Sequence, residues 1–237
     1  NSNYHLWLGR AYGEKADSSN FVAAIELAKK VRDQFESAVR LDASNVSARS
    51  DLAEFYVEAP GFVGGGKNKA RAQADLIAKS DPSSAHWIYA ILAEKDKKYD
   101  VAEQEFKQAL QAGNYQTKQW LDLASFYKRR GRFDDMQEAV NKGVATASNS
   151  NRYLLFDAAQ ILYSAGRNFA GAVQLLRNYI NSGTPHEDAP IFQAHFLLGT
   201  LLEKLGDKNS ATQEYRASLA LAGNYQKAQS ALRRLQQ

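Results

Sequence analysis

A small residue recurs along this chain with a period near 34 residues. Glycine or alanine holds the same place in six similar amphipathic segments, at Gly9, Ala53, Ala90, Ala124, Ala159 and Gly199. The successive spacings are 44, 37, 34, 35 and 40 residues, which indicates a regular unit with insertions. A fixed period of this length is typical of stacked copies of one supersecondary unit, each of which buries its apolar face against its neighbours.

The best-defined copy predicts a helix, a tight turn and a second helix. Trp120, Leu123, Ala124 and Tyr127 follow one another at helical spacing, and Gly131 then interrupts the pattern. Glycine ends a helix at low cost because it adopts positive φ freely. The second helix carries its own repeating apolar column, at Phe35, Ala74, Phe106, Val140, Leu176 and Tyr215. Each copy is therefore predicted to be a helix hairpin.

The composition favours helices throughout. The chain has only 4 prolines among 237 residues, and its 44% hydrophobic and 24% charged residues are ordinary for a folded protein. No apolar run approaches the length of about 18 residues that spans a bilayer. The net charge of +4 is spread along the chain, so it predicts no nucleic-acid partner. The absence of cysteine excludes disulfides and thiolate nucleophiles.

The order of Trp120, Leu123, Ala124 and Tyr127, repeated in weaker form along the chain, resembles the tetratricopeptide repeat. The resemblance implies an all-α, right-handed superhelical solenoid of about six hairpins, with residues 1–237 as a single domain. The predicted repeats cover approximately 2–43, 46–82, 84–114, 117–149, 152–183 and 190–223. Residues 226–237 are predicted to form a helix that caps the last apolar face, as repeat arrays require.

Two insertions distinguish the N-terminal copies. One, around residues 13–22, is predicted to lengthen the second helix of the first hairpin to about Phe21–Leu41. The other is the glycine-rich segment 60–67, and the chain resembles an uncharacterised bacterial subfamily that carries it. Gly61, Gly66 and Lys67 match the spacing of a phosphate-binding loop, but that loop needs a preceding strand and a Ser or Thr where Asn68 stands. A structural turn is the favoured interpretation, with Phe62 as a candidate contact.

No cluster of residues predicts catalysis, a metal site or a cofactor. None of the four histidines has another metal-ligating side chain three or four residues away, and three of them, His5, His86 and His195, share the column of Trp120. Packing is their predicted role. Neighbouring carboxylates such as Asp134 and Asp135 are usually a solvated helix face, whereas acid–base catalysis needs a positioned pair. The sequence therefore predicts a protein that is not an enzyme.

The resemblance also implies a concave groove lined by the first helix of each hairpin. The predicted groove residues are apolar or aromatic at most positions: Leu6, Arg10, Trp87, Ile91, Leu121, Tyr153, Phe156, Tyr163, Phe192 and Phe196. Two interpretations remain open. These side chains either form exposed apolar surface that a partner covers, or they are buried between adjacent first helices of the stack.

The predicted function is binding of a peptide or a partner protein through this groove. The alternative is a self-assembling structural subunit of a bacterial envelope complex, in which the same surface pairs with another copy. A nucleotide-binding enzyme that uses the glycine-rich segment is a distant third hypothesis. The missing initial methionine and the absence of cysteine suggest a periplasmic or secreted bacterial protein.

Overall fold

The computed structural model describes residues 1–17 and 19–235. These residues form thirteen α-helices and two short 3-10 turns, and they contain no β-strand. The helices are α1 Ser2–Asp17, α2 Phe21–Leu41, α3 Val46–Glu58, α4 Lys67–Ile77, α5 Pro82–Lys95, α6 Tyr99–Ala112, α7 Thr117–Arg129, α8 Phe133–Ala145, α9 Leu154–Ser164, α10 Phe169–Asn181, α11 Ile191–Lys204, α12 Lys208–Leu221 and α13 Gln226–Leu235. The prediction of an all-α repeat solenoid is confirmed.

The helices pair into hairpins as the period indicates. Each odd-numbered helix from α1 to α11 packs most extensively against the helix that follows it. The six small residues of the column from Gly9 to Gly199 are all buried, because they lie where the two helices of a hairpin come closest. At Gly199, for example, a Cβ atom would lie 2.7 Å from the Tyr215 ring. A larger side chain at these positions would push the hairpin apart.

The hairpins group into two compact units. The first unit is Asn1–Asn114 and the second is Tyr115–Gln237. In the first unit α3 contacts both α1 and α5, and in the second α9 contacts both α7 and α11. Within each unit, therefore, the first helices of successive hairpins pack side by side. The organisation of residues 1–237 as a single domain remains a prediction.

Local sequence signals set several helix boundaries. Asn20, Asn45 and Asp81 precede α2, α3 and α5, and each side chain accepts a hydrogen bond from a backbone N–H in the first turn. Such caps satisfy amide groups that have no partner inside the helix. Gly131 has φ of 69° after α7, as predicted for the turn that ends that helix. The basic run at 128–132 lies at this helix end, where cations complement the helix dipole.

The first insertion differs in part from the prediction. Helix α2 spans Phe21–Leu41 as predicted, but α1 also continues through Gly13 to Asp17. Both helices of the first hairpin are therefore extended, because nothing in residues 13–17 forces an end to α1. Ser18 lies outside the described residues. Helix α13 is described from Gln226 to Leu235, so the last two residues of the predicted capping helix also lie outside them.

The glycine-rich segment is a compact turn whose amides bond to the chain itself. The N–H groups of Gly64, Gly65 and Gly66 donate to carbonyl oxygens of Gly61, Pro60 and Tyr56 at 3.0, 3.2 and 2.8 Å. A phosphate-binding loop needs such groups directed at the anion. A Cβ atom at Gly65 would lie only 1.8 Å from the carbonyl oxygen of Ala59, so this turn requires glycine there.

The side chain of Lys67 forms an ion pair within the chain, whereas that of the candidate contact Phe62 is exposed. The Lys67 ammonium pairs with Asp96, a residue that follows α5, instead of pointing at the turn's amides. Phe62 lies in the 3-10 turn Gly61–Val63 and is 69% exposed. It is free to meet a partner, and its contact role remains a prediction.

Candidate binding cleft

The second unit contains a cleft of about 770 Å³. Its walls are the facing sides of α7, α9 and α11, closed at one end by Tyr225 and the start of α13. These three helices are the first helices of their hairpins, the set expected to line a groove. The volume lies within the range of about 300–1,000 Å³ that is usual for ligand sites in proteins.

Five of the predicted groove residues line this cleft: Leu121, Tyr153, Phe156, Tyr163 and Phe196. They differ in exposure. Leu121 is 5% exposed and Phe156 is 3% exposed, so both are packed between helices and form the floor of the cleft. Of the two interpretations that the sequence leaves open, burial between adjacent first helices applies to both. Tyr153, Tyr163 and Phe196 are half-buried and present an edge to the cleft.

Phe192 lies against a different hollow of the same unit. Its ring meets Tyr225 edge to face at 5.0 Å between centroids. With Ile180, Pro185 and Leu221 it lines an apolar hollow of about 600 Å³ near the connection between α10 and α11. The sequence placed Phe192 in the groove column because of its spacing alone, and spacing does not distinguish the two sides of a helix start.

The remaining groove candidates belong to the first unit, and their side chains pack against its core or pair with its residues. Leu6 is 4% exposed and is part of the core of that unit, against which Trp87 and Ile91 pack. Arg10 donates to both carboxylate oxygens of Asp51, at 2.6 and 3.3 Å. As at Phe156, the burial interpretation applies to Leu6, which is a core residue of the first unit.

The aromatic lining of the cleft is held in place by ring contacts. Phe196 packs edge to face against Tyr225, with 5.3 Å between ring centroids, and also contacts Tyr215 at 5.7 Å. At the rim, Tyr153 stacks on His186 with 3.6 Å between centroids and an angle of 4° between the ring planes. Side chains fixed in this way lose little conformational entropy when a ligand arrives.

Tyr225 is a cleft residue that the sequence interpretation missed. The five-residue string at 112–116 recurs at 222–226, which indicates duplication, but the repetition does not show which copy faces a cleft. The two tyrosines of the string differ in the structure. Tyr115 is 51% exposed, whereas Tyr225 is half-buried against Phe192 and Phe196.

The polar side chains of the cleft are mostly paired. The Lys118 ammonium lies 2.9 Å from the Asp122 carboxylate, one helical turn along α7. The Lys128 ammonium donates to the Ser164 hydroxyl at 2.9 Å. Burial lowers the pKa of Lys128, and the neighbouring Arg129 charge lowers it further.

Asp157 and Lys227 are the charged side chains of the cleft that no described residue pairs with, and Lys227 is exposed whereas Asp157 is partly buried. The environment of Asp157 is the more unusual. Within residues 1–17 and 19–235, its carboxylate has neither a hydrogen bond nor an ion pair. Burial raises the pKa of the Asp157 carboxyl to about 6, helped by the charges of Asp188 and Asp122 and opposed by Lys118. A partly buried carboxylate with a strongly raised pKa in a cleft is a candidate functional group.

The histidines of the Trp120 column join the two helices of their hairpins. A ring nitrogen of His5 lies 2.7 Å from the Gln34 side chain. The corresponding contacts are His86 to Glu105 at 2.7 Å and His195 to Glu214 at 2.6 Å. The packing role expected from the sequence is thus accompanied by a hydrogen bond.

In the part of the chain that the structure describes, no group of three potential metal ligands comes together, and no helix is long and apolar enough for a membrane span.

A family model of the tetratricopeptide repeat matches residues 192–225, which contain most of α11, all of α12 and the turn to Tyr225. This match is consistent with the hairpin geometry and with the buried column of small residues. Residues 192–225 match a tetratricopeptide repeat, and the chain as a whole has the fold of such repeat proteins. A search of curated proteins finds no match to the sequence.

Several solved structures, among them tetratricopeptide repeat proteins, share the fold. Yeast Tom70 aligns with a TM-score of 0.63 and 17% identity, over 90% of this chain and 46% of that chain. PilW, described as a widely conserved type IV pilus biogenesis factor, aligns with a TM-score of 0.56 and 16% identity over 98% of both chains. YrrB, described as having an unusual peptide-binding site, aligns with a TM-score of 0.51 and 14% identity, over 83% of this chain and 96% of that chain. Identities this low establish the fold alone.

Proposed function

We propose that this repeat protein is an interaction module whose second unit binds a peptide segment of a partner protein in the cleft between α7, α9 and α11. The observation that carries the proposal is the cleft itself, with its buried apolar floor and its half-buried aromatic walls. Peptide recognition in grooves uses a few aromatic anchors, which supply most of the affinity. Tyr163 and Phe196 line the walls of the cleft, where such anchors would lie, and Tyr153 lies at its rim.

The shape of the cleft favours an extended segment over a small compact ligand. A second hollow of about 400 Å³ shares Tyr163, Phe196 and Lys227 with the main cleft and reaches Glu203 and Arg234. The two hollows therefore adjoin along α11, and the second lies toward α13. A peptide that occupied both hollows would leave the buried floor for a more polar end, which suits a chain with apolar residues at one end and polar residues at the other.

The test is retention of a random-sequence peptide library by the immobilised chain. Gln160 is exposed and lines the cleft, so Gln160→Trp would fill the cleft without altering the core. Gln174 is exposed on α10 and provides a matched control, Gln174→Trp. We expect the wild-type chain and Gln174→Trp to retain the same set of peptides, and Gln160→Trp to retain at least tenfold less.

Equal retention by the wild-type chain and both variants would contradict the proposal. The binding surface would then have to be sought elsewhere, and the exposed Phe62 in the glycine-rich segment would be the next candidate. Phe62→Ser would test it in the same assay, because that side chain packs little and its loss should not unfold the chain.

Self-association is the alternative function, and the first hairpin favours it most. Tyr4 is 63% exposed, Phe21 77% and Val22 72%, an unusual amount of apolar surface for one hairpin. Sedimentation equilibrium at rising protein concentration distinguishes the two functions. A dimer that Phe21→Ser disrupts would support self-assembly, and a monomer throughout would leave peptide binding as the function.

A further inference from the structure

Asp157 occupies a column that the repeat places next to the preceding hairpin. It lies two residues before the small residue Ala159, and Asp51 lies two residues before Ala53 in the first unit. Equivalent positions in a repeat have equivalent surroundings, so Asp51 shows what this column can bind. The comparison is internal to the chain and needs no second structure.

The Asp51 carboxylate is satisfied by an arginine from the preceding first helix. Arg10 follows the small residue Gly9 on α1, and its guanidinium donates to both oxygens of Asp51, at 2.6 and 3.3 Å. Bidentate pairing of this kind is a property of the planar guanidinium and is stronger than a contact between neutral groups. The geometry of the repeat thus sets an arginine against an aspartate across neighbouring helices.

At Asp157 the arginine is replaced by a serine. The residue that follows the small residue Ala124 on α7 is Ser125, which lines the cleft. Its side chain is five heavy atoms shorter than arginine, so the space that the guanidinium fills beside Asp51 belongs to the cleft beside Asp157. The carboxylate therefore faces the cleft without the partner that its equivalent has.

The other charges near Asp157 leave it in need of a cation. The carboxylates of Asp188 and Asp122 raise the pKa of Asp157, and Lys118, which lowers it, lies 2.9 Å from the Asp122 carboxylate. Lys128 and Lys227 also line the cleft, but neither forms an ion pair with Asp157 among the described residues. The adjacent aromatic rings, Tyr153 at the rim and Phe196 in the wall, offer faces on which a guanidinium stacks favourably.

We propose that the partner segment places an arginine side chain in the cleft, where its guanidinium pairs with Asp157 in the space that Ser125 leaves open. This inference rests on the proposed function, and it specifies the chemistry of the segment: an arginine flanked by apolar residues that meet Tyr163 and Phe196. The chain as a whole carries a net charge of +4, so general attraction of basic peptides does not account for such a preference.

The experiment compares three libraries of acetylated pentapeptide amides that are random except for the central residue. That residue is arginine, its neutral isostere citrulline, or lysine. We expect the wild-type chain to retain the arginine library at least tenfold more than the citrulline library and several-fold more than the lysine library. The measurement is made at pH 7.5, where Asp157 is ionised.

Three variants assign the preference to the cleft. Asp157→Asn keeps the size of the side chain and removes its charge, so it should abolish the preference for arginine. Ser125→Arg should supply the missing guanidinium from the chain itself, as Arg10 does for Asp51, and should also abolish the preference. Ser125→Ala leaves the space open and adds no charge, so it is the matched control, which should retain the preference.

The outcomes separate this inference from the proposed function. If the wild-type chain retains arginine and citrulline libraries equally, or if Asp157→Asn keeps the preference, the arginine assignment is overturned. Equal retention of arginine and lysine would overturn the assignment to a guanidinium. In each case, loss of all retention in Gln160→Trp would still support the cleft as the peptide site, whereas unchanged retention in that variant would overturn both.

Discussion

Asp157→Asn is a substitution whose expected effect on stability is opposite in sign to that of most changes at partly buried positions. The folded state raises the pKa of Asp157 from its ordinary value of 3.8 to about 6. A shift of this size means that ionised Asp157 costs the folded state about 3 kcal/mol at neutral pH. The asparagine amide is also partly desolvated, so we expect a net gain of about 1 to 2 kcal/mol.

The pH dependence follows from the direction of the shift. Because the folded pKa lies above the unfolded one, the folded state binds the proton more tightly between pH 4 and pH 6. The wild-type chain therefore loses stability relative to the variant as the pH rises through this window, and the difference is constant above about pH 7. Near pH 4, where the folded state holds Asp157 neutral, most of the difference disappears.

Chemical denaturation at pH 7.5 and pH 4 measures the effect. Midpoints are preferable to extrapolated free energies, since hairpins of a repeat protein need not unfold in one step. The matched control is Glu138→Gln, which removes a carboxylate 2.6 Å from Lys142 on α8 and should be neutral or slightly destabilising. A midpoint for Asp157→Asn that is unchanged or lower at pH 7.5 would refute the reasoning that the carboxylate is ionised at a cost and without a partner.

Two further predictions concern the fold. Ala124 is fully buried where α7 meets its partner helix, so Ala124→Leu should cost about 1 to 3 kcal/mol by overpacking, and an unchanged denaturation midpoint would contradict that placement. Gly65→Ala should disrupt the turn between α3 and α4, because its Cβ atom would lie 1.8 Å from the Ala59 carbonyl oxygen, whereas Gly61→Ala, where a Cβ meets nothing within 4 Å, should be tolerated. Differential scanning calorimetry of the two glycine variants checks the contrast.

The fold was predictable because the same pattern of small and apolar residues occurs six times, and each occurrence requires the same close contact between two helices. Ala90 alone is an unremarkable alanine, but six small residues in register specify a helix contact, and the structure buries all of them. The positions of helix ends were less predictable. Nothing in the sequence of residues 13–17 opposes helix, and α1 continues through them even though other first helices end sooner.

The apolar part of the cleft was predictable and the polar part was not. Helical spacing identified Leu121, Phe156 and Phe196, but it could not tell a floor residue from a wall residue, since exposure depends on how closely neighbouring first helices pack. Nothing in the sequence distinguishes Asp157 from the many carboxylates of the solvated helix faces. Its lack of a partner becomes visible only when the contacts of the other copies are known.

The divergence between copies is where a repeat protein acquires a binding site. All six hairpins keep the small column, because changing it would separate the two helices. The column after it is free to change: it holds Arg10 in the first hairpin, where the guanidinium closes the space against Asp51, and Ser125 in the fourth. The pairing joins the first helices of two hairpins, whereas Ser125 leaves the Asp157 carboxylate facing the cleft without such a partner. The energy that ionised Asp157 costs in the free protein is what a cationic ligand would recover on binding.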